Sequence, residues 1–338
     1  MLHGSNDQYM KLLQQKLIRA HATLRQARAR LGWTDPERVR PARLVLRLDD
    51  SDLPGAVEGS PLERGDWRRL LVDAIAWLGP LPVTIVAGQK GDHEELLEVI
   101  RFVHRLECPT TLVCDGGGID DARALELLDI GLGAVQVRVG GVSSTAHRSS
   151  VGGAVRDASE AVTAFIEARR FRGVVLDIEV LTPWRGRINE EITAVIGWAR
   201  QLGCDGFRLT PQFRARELPA DPEVLDAVGE EPGPFNRTHH AAVVALHAMV
   251  AEQDGEPGRL RRASSRQRLS GTGRCPVAGQ RLELTASGRL YSCPFQPPIP
   301  LGETLKDSWE EEGRPHLEAI AGCGRSCMHV ELAPAFPR

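Results

Sequence analysis

Between residue 43 and about residue 213, short apolar runs alternate with amphipathic segments. RLVLRL (43–48), PVTIVA (82–87), TTLVCD (110–115), AVQVRV (134–139), GVVLDIEV (173–180) and GFRLTP (206–211) have the length and apolar character of strands. Between them, apolar positions at helical spacing predict helices over 64–78, 92–106, 119–130, 154–170 and 188–202. Continuous apolar strands separated by helices imply a parallel sheet buried on both faces. Six such units predict an α/β fold, a partial (β/α)6 TIM-like barrel, with function at the C-terminal ends of its strands. A doubly wound open sheet has the same local pattern, so periodicity leaves both architectures open.

Ahead of this series, Met10, Leu13, Leu17, Ala20, Leu24, Ala27 and Leu31 recur at three- and four-residue steps, the a/d seam of a helix over 8–31. Lys11, Lys16, Arg19, Arg25, Arg28 and Arg30 occupy its other faces. Such a helix either docks on its own domain with a solvated basic face, or binds a partner or dimerises. A further helix over 238–252 carries His239, His240 and His247. His240 and His247 share a face, which suits a metal, but no acidic or Cys companion lies nearby, so they read as surface histidines. The Gly-, Ser- and Arg-rich stretch 254–274 reads as a linker. The layout is therefore an amphipathic helix (1–40), a barrel (41–253), a linker (254–274) and a small cysteine-rich α+β module (275–338).

Composition narrows the function classes. A net charge of −3 over 338 residues gives no electrostatic case for nucleic acid or a membrane surface. No apolar run reaches the roughly 20 residues of a membrane span, and the first residues lack the apolar core of a secretory signal. A cytoplasmic, reducing setting is expected, where clustered cysteines bind metal more often than they form disulfides. Of the seven cysteines, Cys108, Cys114 and Cys204 stand alone in apolar stretches and read as core residues. Cys275, Cys293, Cys323 and Cys327 crowd the last quarter.

In that quarter, RLELT and RLYSC are β-type runs joined by Ala286-Ser287-Gly288, a hairpin with Gly288 supplying the positive φ of its turn. The hairpin brings Cys275 and Cys293 towards one end. A short helix around 305–320 returns the chain to Cys323 and Cys327. Four converging thiolates suit a [4Fe–4S] cluster or structural zinc, and four unrelated core thiols is the plain alternative. His329 is a reserve ligand.

The Cys275 to Cys293 spacing, the strand text Gly288-Arg289-Leu290-Tyr291-Ser292-Cys293-Pro294-Phe295, the run LGETLKDSW (301–309) and the closing Cys323/Cys327 pair together resemble the auxiliary-cluster region of SPASM and twitch domains. Those domains follow radical S-adenosylmethionine (radical SAM) barrels. With four cysteines rather than seven, the match is to the shorter twitch type. The resemblance implies that Cys275, Cys293, Cys323 and Cys327 hold one [4Fe–4S] cluster, with zinc as the alternative.

The same resemblance exposes a loss. In the family, the loop after the first strand carries three cysteines that bind the SAM-cleaving cluster. Here the corresponding stretch is LRLDDSDLPGAVEG, with Ser51, Gly55 and Glu58 at the ligand positions, and no cysteine precedes Cys108. The family's G-G-E-P appears as Ala87-Gly88-Gln89-Lys90, and its V-S-L-D-G as Val137-Arg138-Val139-Gly140-Gly141. These departures put SAM binding in doubt, and radical cleavage of SAM is not expected of this chain. The strand ends instead offer Asp49, Asp50, Asp115, Arg138, Asp177, Glu179, Arg208 and Gln212, a charged ring for a polar or anionic ligand or for acid–base chemistry. Those charges also suit simple mutual pairing, and Trp184 suits either a stacking lid or a loop aromatic packed on the barrel. The resulting expectation is a catalytically degenerate radical SAM-like protein. It would serve as an accessory or substrate-binding subunit beside an active radical SAM enzyme or a peptide substrate. A non-radical enzyme working at the barrel mouth, or an electron relay through the cluster, are the other readings.

Overall fold

The computed structural model describes residues 13–22, 24, 40–48, 64–88, 91, 94–184, 190–211, 281–292, 299 and 301–313. Six strands follow in order: β1 (Arg43–Arg47), β2 (Val83–Gly88), β3 (Thr110–Cys114), β4 (Ala134–Arg138), β5 (Asp177–Trp184) and β6 (Gly206–Pro211). Between them run α2 (Arg64–Leu78), α3 (Glu94–Arg105), α4 (Asp121–Asp129), α5 (Ser144–Ser150), α6 (Val155–Arg172) and α7 (Glu190–Leu202). A first helix, α1, covers 13–22.

Neighbouring strands pair in parallel, and the order β6-β5-β4-β3-β2-β1 runs without reversal. A doubly wound sheet would reverse at a switch point. The monotonic order therefore selects the partial TIM-like barrel from the two architectures that the sequence left open.

Local chemistry explains the elements. In α3, Leu96, Leu97, Val99, Ile100 and Val103 are buried on one stripe. Asp120 caps α4, its carboxylate accepting from the Arg123 N–H at 2.8 Å. Gly173, at φ 61°, ends α6 in the left-handed conformation that favours glycine. Leu44, Leu46, Ile85, Leu112, Val135, Val137, Ile178, Val180 and Phe207 alternate onto the face that meets the helices, forming one continuous core.

The opposite, concave face differs from the expectation of a sheet that is apolar on both sides. Among the described residues its apolar cluster is small, Val45, Val86, Val113 and Leu181. By register, Thr84, Thr111 and Gln136 share this face with arginines and carboxylates.

Two more strands extend the sheet beyond β1. The predicted hairpin forms as β7 (Arg281–Leu284) and β8 (Leu290–Tyr291), antiparallel, with Gly288 at φ 77° in the turn. Its first strand lies parallel to β1, with Leu44 opposite Leu282 and Leu46 opposite Leu284. The hairpin thus covers the β1 edge of the barrel sheet. Beyond it, α8 (Leu305–Ser308) runs into a π-turn over Trp309–Gly313. This element rests on α2: the Leu305 N–H donates to Asp73, Trp309 is buried, and its ring lies 6.3 Å from that of Trp77.

Two elements depart from expectation. β5 begins at Asp177, four residues later than predicted, because Gly173 caps α6 and the following valines bridge to the sheet. α5 was not expected; its seven residues, STAHRSS, carry no apolar repeat. Residues 1–12, the 238–252 helix, the 254–274 linker and residues beyond 313 lie outside the described residues.

Candidate functional site

The concave face holds two ion pairs, one at the C-terminal ends of β3 and β4 and one nearer the start of β5 and β6. Asp115 follows β3 and faces Arg138 at the end of β4. The Arg138 guanidinium donates through Nε to one carboxylate oxygen and through Nη2 to the other, at 2.9 Å. Asp115 is buried, and Arg138 is largely so. One strand further on, Arg208 donates to Glu179 at 2.5 Å (Nε to Oε2) and 3.0 Å (Nη2 to Oε1). Gln136 adds a bond from Nε2 to Glu179 Oε2 at 2.8 Å. Register explains the second group: Gln136 lies opposite Glu179, and Glu179 opposite Gly206. Gly206 leaves room for the Glu179 side chain, because a Cβ there would meet it at 3.3 Å.

Sequence reasoning missed a third group on the same face. Glu283 of β7 accepts from Arg47 of β1 and from Arg281 at 2.6 Å, and Glu283 itself is buried. The only signal was the Arg-x-Glu alternation of β7, which says nothing about which strand it will pair with. Two-pronged Arg–carboxylate bonds are rigid as well as strong, so this face is a braced polar floor.

The loop after β4 is also held in place. Glu191 of α7 accepts from the Val142 N–H at 2.9 Å, the Ser143 N–H at 3.2 Å and the Ser143 hydroxyl at 2.6 Å. These bonds, led by the hydroxyl, hold its carboxyl below the usual carboxylate range. On the other side of the loop, the Gly140 N–H donates to His147 Nδ1 at 3.3 Å. That bond requires the tautomer protonated at Nε2, and Nε2 is buried with no partner among the described residues. Burial lowers the His147 pKa, opposed by Asp157.

Of the eight residues expected at strand ends, Asp115, Arg138, Glu179 and Arg208 share this face, but Glu179 is the third residue of β5 and stands near its start, because the strand runs Asp177–Trp184. Asp177 is not at the mouth. With β5 starting at Asp177, its carboxylate lies at the N-terminal end of the strand and accepts from Arg19 of α1 at 3.1 Å. Asp49, Asp50 and Gln212 lie outside the described residues, as do Cys275, Cys293, Cys323 and Cys327, His329 and the side chain of Trp184.

The three described thiols do not face the mouth. Cys108, Cys114 and Cys204 are buried in the layer between sheet and helices. Burial raises the Cys108 pKa and pushes those of Cys114 and Cys204 up to about 12. Such thiols are protonated and not metal ligands. Among the described residues, no group of three or more His, Cys, Asp or Glu could hold a metal. No described helix is long and apolar enough to cross a membrane.

The parallel, partly closed sheet is similar in fold to solved structures of SuiB from Streptococcus suis. SuiB bound to S-adenosylmethionine superposes with a TM-score of 0.59 at 13% identity, over 84% of this chain and 68% of SuiB. SuiB bound to precursor peptide SuiA gives 0.59 at 13%, over 91% of this chain and 72% of SuiB. A further SuiB structure gives 0.53 at 12%, over 81% and 65%. No family model matches the sequence.

Proposed function

We propose that this chain is a catalytically degenerate radical SAM-like protein that binds one auxiliary [4Fe–4S] cluster and serves as an accessory or substrate-binding subunit of a maturation system. The observation that carries the reading is the absence of thiolates where SAM chemistry requires them. No cysteine precedes Cys108, and the thiols described in the barrel point into the helix-facing core. Arg138 meanwhile commits itself to Asp115, so the end of β4 offers an ion pair.

The donor set of Cys275, Cys293, Cys323 and Cys327 fits a [4Fe–4S] core, which four thiolates satisfy. Such a cluster, when bound, supplies structural cross-linking or one-electron transfer. The braced floor of Arg47, Arg138 and Arg208 with their carboxylates would orient a polar segment of substrate over the strand ends. SuiB binds a precursor peptide, and a peptide, or an active radical SAM enzyme carrying one, is the partner class we assign here.

Anaerobic reconstitution with iron and sulfide quantitation tests the reading, together with an assay for 5′-deoxyadenosine. One four-iron cluster per chain, with no deoxyadenosine formed from SAM, is expected. A second cluster or SAM cleavage overturns the degenerate assignment, and zinc without iron overturns the cluster.

A further inference from the structure

Helix α1 sits on the body by its polar side. Arg19 pairs with Asp177, and Gln14 donates to Glu107 at 3.0 Å. Arg19 and Gln15 crowd Gly133, where a Cβ would come within 2.9 and 3.5 Å of them, and Ala22 is buried. At 3.6 residues per turn, Gln15, Arg19 and Ala22 share one side. Leu13, Leu17, Ala20 and Leu24 lie on the opposite side. The three leucines are exposed, at 40%, 62% and 59%. The described part of the apolar seam therefore faces away from the domain.

Charge decides what can cover it. No Asp or Glu stands between Asp7 and Asp35, whereas Lys11, Lys16, Arg19, Arg25, Arg28 and Arg30 do. In heptad terms Lys16 flanks the described part of the seam, at a position whose charge chooses a coiled-coil partner. A second copy would set this cation against its counterpart. A membrane-surface helix needs a broad apolar face, and this seam is a narrow a/d stripe.

We infer that α1 is a docking surface for an acidic, amphipathic helix of a partner polypeptide, gripped by the Leu13/Leu17/Leu24 seam and selected by Lys16 beside it. The inference rests on the accessory-subunit reading, since it supplies the surface by which such a subunit engages its partner.

The test uses the full chain in fluorescence anisotropy with a synthetic labelled peptide of roughly four heptads, Leu at a and d and Glu at e and g. A second peptide carries Lys at e and g. Saturable binding of the Glu peptide is expected, about tenfold or more tighter than of the Lys peptide, and weakening with salt. Leu17→Ser with Leu24→Ser weakens it by about tenfold or more while the thermal melt stays put, because both side chains are exposed. Lys16→Glu moves the preference towards the Lys peptide. Absence of saturable binding, equal binding of both peptides, or insensitivity to the leucine changes overturns the inference. So does a Leu17-dependent dimer in sedimentation velocity. Leucine-dependent binding to phosphatidylglycerol vesicles in place of the peptide also overturns it. Peptide binding needs neither iron nor SAM. A wrong iron count or SAM cleavage therefore removes the accessory reading without touching this result, and a failed titration leaves the iron result standing.

Discussion

Arg138 grips both carboxylate oxygens of Asp115 across the ends of β3 and β4, and the carboxylate is only 3% exposed. Asp115 follows β3 and Arg138 closes β4, so the pair fixes charge and counter-ion together at the C-terminal ends of these two strands.

Removing one partner of this pair strands a buried charge. Arg138→Met is expected to cost about 3 kcal/mol or more, read as a lowered midpoint in urea unfolding. Replacing both, Arg138→Met with Asp115→Leu, is expected to recover most of that loss. A single substitution that leaves the midpoint unmoved would show that the pair is solvated.

His147 gives a pH dependence with a defined sign. Its folded pKa is lowered from 6.5 by burial, so between the folded value and 6.5 the unfolded chain binds more protons than the native one. Its contribution is fully present above pH 6.5 and is lost as pH falls through the folded pKa. His147→Asn keeps an acceptor for the Gly140 N–H and removes the titration. The difference in unfolding free energy between wild type and variant should therefore slope in that window and flatten above it. A difference that is flat throughout would place His147 in solvent.

The sequence made the barrel legible because most strands read as apolar runs and most helices as stripes; the six strands, apart from the start of β5, and five of the six described helices of 64–202 fall where those patterns lie. What it missed is non-local. The two valines after Gly173 look like a strand, and only the glycine at φ 61° ending α6 shows that they are a connection, which moves Asp177 to the far end of β5. The hairpin was visible in its turn, but its parallel seat on β1 was not, because parallel pairing leaves no local signature. Arg47 and Glu283, 236 residues apart, were consequently not seen as partners. α5 escaped because its one cue, the Ser143 cap, sits ahead of a segment without apolar periodicity.

Thiol chemistry separates the core cysteines from the cluster candidates. Cys108, Cys114 and Cys204 are buried with raised pKa values, so native protein should not react at these positions with iodoacetamide at pH 8. At most four of the seven cysteines, those in the last quarter, should then be labelled in metal-stripped protein. All seven should react on unfolding. Mass spectrometry locates the label, and native modification of Cys114 would contradict its packing.

The turn carrying Leu305 and Trp309 is anchored on α2. Leu305 and Trp309 are buried, Asp73 of α2 accepts the Leu305 N–H, and Arg69 donates to the Glu303 carbonyl at 3.2 Å. Trp309 supplies most of the apolar contact, packed on Trp77 and against Gly313, where even a Cβ would meet the indole at 2.8 Å. Trp309→Ala removes a ring whose loss from a core costs about 3–5 kcal/mol. Because α2 is the described helix on which the turn chiefly rests, that loss should detach the segment rather than unfold the sheet. Limited trypsin digestion should cut at Lys306 in the variant and spare it in the wild type, while the β1–β6 core resists in both. If the segment positions the last cysteine pair, iron retained after reconstitution should fall together with protection at Lys306. Unchanged protection with unchanged iron would mean that the module is held by contacts other than this one.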